Sequence, residues 1–323
     1  MNNKHAALKL HDLHPSGKDI RQDVLQGLQA PDKWISSMYF YDQRGSKLFD
    51  KITQLPEYYP TRTEQWILER YADEMAQVLG PDVMLVEPGS GSSEKIRELL
   101  AHLITPAGYV PVEISREHLL MAAQKIQDAY PTLEVLPVCA DFTQPYDIPQ
   151  SQHPATRRII YFPGSTIGNF EPPLALDVLK IMREVARDKG ALLIGVDLRK
   201  DKATLEAAYN DSAGVTAQFN INVLHRFNRE LEANFTLDNF RHAAVWNEEK
   251  SRIEMYLISL CDQTVTIAGQ EIAFKKDERI HTESSYKYTL TGFGELAASA
   301  GFSLRKTWTD DKQLFSVQYL EAV

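Results

Sequence analysis

From Glu64 to Asp197 the chain alternates short apolar runs with longer stretches whose apolar residues recur at helical spacing. This alternation limits the fold more than any other feature. A strand, a helix and a second parallel strand join only through a right-handed crossover, so the pattern implies a parallel sheet covered on both faces. The apolar runs are Val83–Val86, Tyr109–Ile114, 134–140, 158–163 and 191–197. Between them, Ile67, Tyr71, Met75 and Val78 share one helical face, as do Ile96, Leu99, Leu100 and Leu103, and Leu119, Ala122, Ile126 and Ala129. Residues 171–188 read as a further helix. Ala191–Val196 is a nearly continuous apolar run, as a strand buried on both faces requires.

The alternation breaks after Asp197. Residues 199–250 are polar and helical in tone, punctuated by Asn210, Asn220, Asn222 and Asn228, and 252–261 and 264–274 read as strands around a turn at Ala268-Gly269-Gln270. This is too long for one crossover. The core resumes with a helix at Phe293–Ala300 closed by Gly301, then two strands, Phe302–Trp308 and Phe315–Tyr319, across a tight Asp310-Asp311 turn. At roughly 150 residues per domain, a chain of 323 residues holds about two. The expected fold is α/β, a doubly wound and mostly parallel Rossmann-like sheet with a terminal antiparallel hairpin, plus a second, inserted α+β domain. The core is expected from 64–198 and 288–323, and a substrate-binding lid over the strand ends from 1–63 and 199–287.

Charge narrows the partners. Thirty-five Lys and Arg stand against 44 Asp and Glu, a net of −9, which argues against nucleic acid, whose binding rests on cationic contacts to phosphate. Cys139 and Cys261 lack the spacing of a zinc site or a disulfide framework, and the nine histidines contain no HExxH, so no metal is expected. No apolar run approaches the ~20 residues that span a bilayer, and the N-terminus lacks the apolar stretch of a signal peptide. A cytoplasmic monomer acting on a small molecule, without membrane association, is the expectation.

Val86-Glu87-Pro88-Gly89-Ser90-Gly91-Ser92-Ser93-Glu94-Lys95 links the first core strand to the first core helix. Glycines there let the backbone turn tightly and approach a ligand. Glu94 occupies the third-glycine position of the dinucleotide fingerprint, which argues against NAD and FAD, and no GK[ST] makes it an ATP loop. Glu113, at the end of the second strand, can accept from both hydroxyls of a ribose, with a solvated surface charge as the alternative. After the third strand, Asp141 can accept from an adenine amino group and Phe142 offers its ring an apolar face, with a turn cap as the alternative for the aspartate. These elements and the final hairpin point to S-adenosylmethionine, its amino-acid end beside Gly89, Ser90 and Gly91, with Lys95 as counterion or as a helix-surface residue.

Several longer motifs then carry a resemblance. They are Tyr41-Asp42-Gln43-Arg44-Gly45-Ser46, Leu55-Pro56-Glu57-Tyr58-Tyr59-Pro60-Thr61-Arg62, the loop Gly89–Lys95, Gly164-Ser165-Thr166-Ile167-Gly168-Asn169, Ala208-Tyr209-Asn210-Asp211 with Gly214-Val215-Thr216-Ala217, Arg252-Ile253-Glu254-Met255 and Thr282-Glu283-Ser284-Ser285. With them the whole chain resembles the bacterial L-histidine Nα-methyltransferases of ergothioneine biosynthesis, within the class I S-adenosylmethionine-dependent methyltransferases. Glu113 stands where that family usually has Asp, and Pro163 where an apolar residue is commoner. The resemblance implies trimethylation of the α-amine of L-histidine to hercynine. It implies that Asn169 and Tyr209 hold the substrate carboxylate, that Tyr41 and Tyr58 line the pocket, with Asn169 and Tyr41 nearest the chemistry, and that Thr216, Phe219 and Met255 lie at further substrate positions.

The residues themselves agree. Asn169 ends the fourth strand, at the lip where open α/β sheets bind ligands, with a helix N-cap as the alternative. Glu283 and Ser285 are two apart in an extended segment and face one way, so a carboxylate and a hydroxyl can grip both imidazole nitrogens edge-on, with a solvated charge as the alternative for Glu283 that the resemblance argues against. Phe219 and Met255 also suit plain core. The reaction is an in-line displacement needing neither metal nor covalent intermediate. Positioning lowers its barrier by up to ~7–11 kcal/mol in favourable cases. No residue is singled out as the base, and water or a tyrosine hydroxyl suffices. A methyltransferase for another α-amine, such as a tryptophan-derived one, and a non-catalytic S-adenosylmethionine-binding module remain as other readings.

Overall fold

The computed structural model describes residues 8–15, 19–91 and 94–323. Along the chain the strands are β1 (His11–Asp12), β2 (Val83–Pro88), β3 (Gly108–Glu113), β4 (Val138–Cys139), β5 (Arg157–Phe162), β6 (Ala191–Asp197), β7 (Phe240–Asn247), β8 (Arg252–Ser259), β9 (Gln263–Ile267), β10 (Gln270–Phe274), β11 (Arg279–Tyr286), β12 (Phe302–Thr309) and β13 (Phe315–Ala322). The helices are α1 (Ile20–Gln29), α2 (Gln43–Ile52), α3 (Tyr59–Leu79), α4 (Glu94–His102), α5 (Arg116–Ala129), α6 (Pro172–Ala186), α7 (Lys202–Tyr209), α8 (Val215–Glu230) and α9 (Leu290–Ser299). The described residues form two compact units, one from 8–15, Thr63–Leu198 and Tyr288–Val323, the other from 19–62 and Arg199–Lys287.

The first unit is built on an eight-stranded sheet in the order β1-β4-β3-β2-β5-β6-β13-β12. All neighbours from β1 to β6 are parallel, and β13 runs antiparallel to both β6 and β12. The two-residue period of the strands divides the core. Val86, Val110, Ile160 and Leu192 belong to one buried cluster with Val178 and Phe293, while Leu85, Tyr109, Ile159 and Leu193 join Ile67, Met75 and Ile96 in the other. The doubly wound sheet and its terminal hairpin are therefore as the sequence pattern implies.

Two expectations for this unit change. The strand expected over 134–140 shrinks to Val138–Cys139, with an isolated bridge from Tyr109 to Val135, because Pro137 has no N–H to give the ladder. The N-terminal residues, expected with the second domain throughout, instead add β1 to the core sheet. His11 N donates to Pro137 O at 2.9 Å and Leu13 N to Cys139 O at 3.0 Å.

The second unit has a three-stranded antiparallel sheet, β11-β8-β7, and a β9–β10 hairpin. Ala268 and Gly269 both take positive φ, +49° and +78°, in a two-residue turn, so 264–274 folds on itself at the expected turn. Residues 240–247, expected to be helical in tone, form β7. Phe240, Ala244 and Trp246 are buried at even spacing, a period disguised by Arg241, His242 and Asn247 between and after them.

The family-like motifs in this unit hold backbone. Asp42 caps α2 by accepting from Gly45 N at 2.7 Å, and is held by Asn222 at 2.8 Å and Arg229 at 2.9 Å. A Cβ on Gly45 would lie 1.7 Å from Phe40 O, so only glycine fits. Arg62 gathers the carbonyls of Leu55, Pro56 and Tyr58 at 3.0, 2.6 and 3.1 Å. Asn210 pairs with both backbone groups of Ala244, and Asp211 caps α8 through Val215 N and Thr216 N.

In the first unit, Gly195 in β6 admits the carboxylate of Glu64. A Cβ there would lie 2.2 Å from Glu64 Oε1 and 3.1 Å from Gly164 N. Gly195→Ala is expected to destabilise the protein by about 1–3 kcal/mol, the usual range for overpacking a filled site. Urea denaturation at neutral pH checks this, and an unchanged midpoint would contradict it.

Candidate functional site

The carboxyl ends of β4, β3, β2 and β5 lie side by side, and the winding reverses at β2, between β3 and β5. In an open α/β sheet that reversal opens a crevice where ligands bind. Gly89 and Gly91 take φ of +67° and +50°, and the amides of Gly89 and Ser90 both donate to Val112 O, at 2.8 and 3.2 Å. Ser92 and Ser93 lie outside the described residues. Ser90 Oγ is buried without a hydrogen-bond partner, an unsatisfied polar atom that suits a ligand's amino-acid end. A Cβ on Gly89 would come 3.1 Å from the Phe142 ring, which itself packs edge-on against Phe162 and Phe170.

At the end of β3, Glu113 Oε1 accepts from Ile114 N at 2.9 Å and Ser115 N at 3.2 Å, which aims Oε2 away from the turn. Asp141 Oδ1 is the acceptor of a turn closed by Thr143, as the turn-cap alternative has it, which leaves its other oxygen outside that turn. Asn169 ends a short 3₁₀ turn after β5, reached through left-handed Gly164 and Ser165. The N-cap of α6 is Glu171, which removes the helix-cap alternative for Asn169, and the Asn169 amide makes no hydrogen bond among the described residues.

Lys95 is already paired within the protein. Its Nζ sits 2.5 Å from Glu64 Oε2, and Glu64 Oε1 accepts from Gly164 N at 2.7 Å. Glu64 is 1% exposed, and a carboxylate so buried needs a cation and a donor, which Lys95 and Gly164 supply. Glu87, at the end of β2, is also buried, and burial pushes its carboxyl up to about 8, against the Tyr109 hydroxyl bonded to it and the charge of Lys95.

The second unit gathers most of the remaining expected residues. Tyr41 meets Phe219 and Phe49 edge-on, each at 5.7 Å between centroids, and Tyr58 meets Tyr209 at 6.1 Å. Tyr209 Oη lies 2.8 Å from Ser285 Oγ. Lys287 Nζ donates to both, at 2.9 Å to Tyr209 and 2.8 Å to Ser285. Glu283 pairs with Met255 across β8 and β11, so their side chains share one face of the sheet. Burial pushes the Glu283 carboxyl up to about 7, opposed by Lys287. Thr216 is buried in the first turn of α8, and Met255, 1% exposed, is chiefly core.

Sequence reasoning missed Glu64, Phe49 and Lys287. For Lys287 a signal was present, since Glu283, Ser285 and Lys287 continue one two-residue period. Among the described residues no cluster suits a metal ion, and no helix is long and apolar enough to cross a membrane.

Comparison with known proteins adds independent findings. Residues 20–322 match the family model described as histidine-specific methyltransferase, SAM-dependent. The chain is 42% identical over 298 residues to a histidine N-alpha-methyltransferase from Mycobacterium tuberculosis, covering 90% of this chain and 91% of that one. It is 30% identical over 283 residues to ergothioneine biosynthesis protein 1 from Neurospora crassa, covering 85% of this chain and 32% of that one. An L-tryptophan methyltransferase from Psilocybe serbica is 27% identical over 332 residues, covering 94% of this chain and 93% of that one.

Gly89→Ala would place a side chain against Phe142 on left-handed backbone. The expected result is a loss of S-adenosylhomocysteine affinity of about tenfold or more, for a strain of about 1–2 kcal/mol. Titration calorimetry on a variant with unchanged circular dichroism checks it, and wild-type affinity would remove this loop from the donor site.

Proposed function

The chain belongs to the histidine-specific, S-adenosylmethionine-dependent methyltransferase family, and from that membership we infer that it methylates the α-amine of L-histidine, three times, to hercynine in ergothioneine biosynthesis. The observation that carries the choice of substrate is the acceptor-and-hydroxyl face of β11. Glu283 can accept an imidazole N–H while Ser285, two residues on, donates to the other ring nitrogen. An indole has one donor and no ring acceptor, so a tryptophan-like substrate would leave the hydroxyl side unused. A full set of candidate substrate residues in addition to candidate donor residues disfavours a purely binding module.

S-adenosylmethionine supplies an activated methyl group. The first unit's Gly89, Ser90, Gly91, Glu113, Asp141 and Phe142 suit its amino acid, ribose and adenine. Asn169 and Tyr209 are proposed as anchors for the substrate carboxylate, with Tyr41, Tyr58 and Phe219 enclosing the substrate. The division of labour is likewise a proposal, with donor groups in the first unit and most acceptor groups in the second. The amine must shed its proton before it attacks in line with the departing thioether. What the chain contributes is alignment, and its hold on both ends of a rigid substrate is the means. Tyr209 and Ser285 are hydrogen-bonded neighbours rather than opposite ends of the grip. Ser285 therefore suits the ring nitrogen nearer the backbone, and Glu283 the outer one.

Glu283→Ala should weaken histidine binding by about 10–100-fold, the worth of a hydrogen bond to a charged group, and leave S-adenosylhomocysteine binding intact. Calorimetry with each ligand tests this, and unchanged histidine affinity would refute the imidazole reading. A pH effect follows from the same carboxyl. Its folded value of about 7 lies above its ordinary 4.5, so the folded state holds the proton more tightly than the unfolded one. The ligand-free protein therefore loses stability as pH rises from about 4.5 through about 7, and Glu283→Gln is spared that loss. Urea midpoints of both proteins at pH 5 and pH 8 should draw apart in that direction, and parallel shifts would contradict it.

A further inference from the structure

We propose that Lys287 is the residue that makes this site require a substrate carboxylate, by holding the Tyr209 hydroxyl as a donor facing an anion while Ser285 stays with the imidazole. The proposal rests on the reading of Tyr209 as a carboxylate anchor and names a determinant of specificity that reading lacks.

The geometry is a closed triangle. Lys287 Nζ lies 2.9 Å from Tyr209 Oη and 2.8 Å from Ser285 Oγ, and the two oxygens lie 2.8 Å apart. A lysine ammonium has three donors and no acceptor, so both hydroxyl oxygens accept from it and turn their own protons away. The polarity of the triangle is thus fixed outward from the ammonium, suiting an acceptor and repelling a cationic or donor group. Two of its members are hydroxyls that would otherwise rotate freely between donor and acceptor roles.

Burial makes the arrangement consequential. Lys287 is 3% exposed, Ser285 6% and Tyr209 7%. An ammonium withdrawn from water costs several kcal/mol unless charge or well-placed oxygens compensate it. A substrate carboxylate entering beside the triangle adds to the charge that Glu283 already sets against the ammonium, where a decarboxylated amine adds none. The nearby Tyr209 ring, 4.9 Å from Nζ to centroid, holds the ammonium in place by its face. Glu283 lies on the same strand face, so imidazole recognition and carboxylate recognition are adjacent but chemically separable, one by Glu283 with Ser285 and the other by Tyr209.

The test compares three substrates on the full-length protein with S-adenosylmethionine: L-histidine, its neutral carboxamide, and histamine, which lacks the carboxylate. Wild type should favour histidine over the other two by about 30-fold or more in kcat/KM. Lys287→Met should lower kcat/KM for histidine by about that factor, mostly through KM, and change histamine by less than about threefold, so that the preference collapses. Lys287→Arg should restore part of it. A Lys287→Met variant that lost histidine and histamine equally, with S-adenosylhomocysteine affinity intact, would overturn the proposal in favour of a structural role. So would a wild type indifferent between histidine and its carboxamide, a comparison that does not depend on any variant folding. If wild type methylates a different amino acid, the substrate assignment falls. The same comparison between that amino acid and its decarboxylated amine still decides the role of Lys287.

Discussion

Much of the first unit is organised by a single buried carboxylate. Glu64 leaves α3 to reach the middle of the sheet, where it accepts from Lys95 on α4 and from the backbone of Gly164 after β5, against the bare Cα of Gly195 in β6. The loop after β2 and the turn after β5 flank the crevice at the winding reversal, and this node ties one to the other. Losing one partner of such a pair strands a charge away from water, which is more damaging than the net worth of the pair suggests. The backbone after β5 is therefore held by a carboxylate from α3 and a lysine from the start of α4.

The second unit follows similar logic at a different scale. Asp42, Gly45, Arg62, Asn210 and Asp211 are the most recognisable letters of its motifs, yet each serves a carbonyl, an amide or a close backbone approach. The residues proposed to tell one amino acid from another stand instead on β11 and just beyond it.

The core was legible in the sequence because its signals are local. Apolar runs between helical periods give the parallel sheet, and glycines between a strand and a helix mark the donor loop. What escaped depends on distant partners or weak periods. Glu64 reads as the polar start of a helix, and only the absence of a side chain at Gly195, some 130 positions later, explains its burial. A two-residue strand such as β1 has no periodicity to detect. The even-numbered burial of β7 is masked by polar neighbours, and Pro137 cuts short a run that looked wholly strand-like. Lys287 was within reach, since it extends the spacing of Glu283 and Ser285 by one more step, but a lysine at the end of a strand reads first as a solvated charge.

The borders of the large sheet bear on how the molecule behaves in company. One border is β1, two residues long, lying over an equally short β4. The other, β12, is broken by a register shift between Leu304 and Lys306, and Arg305 and Lys306 there are paired with Glu321 and Glu74. A long, flat, unbroken border offers its amides to the next molecule as a template for stacking, and charged, kinked or very short ones do not. An eight-stranded sheet bordered this way presents a neighbouring copy with little to stack upon.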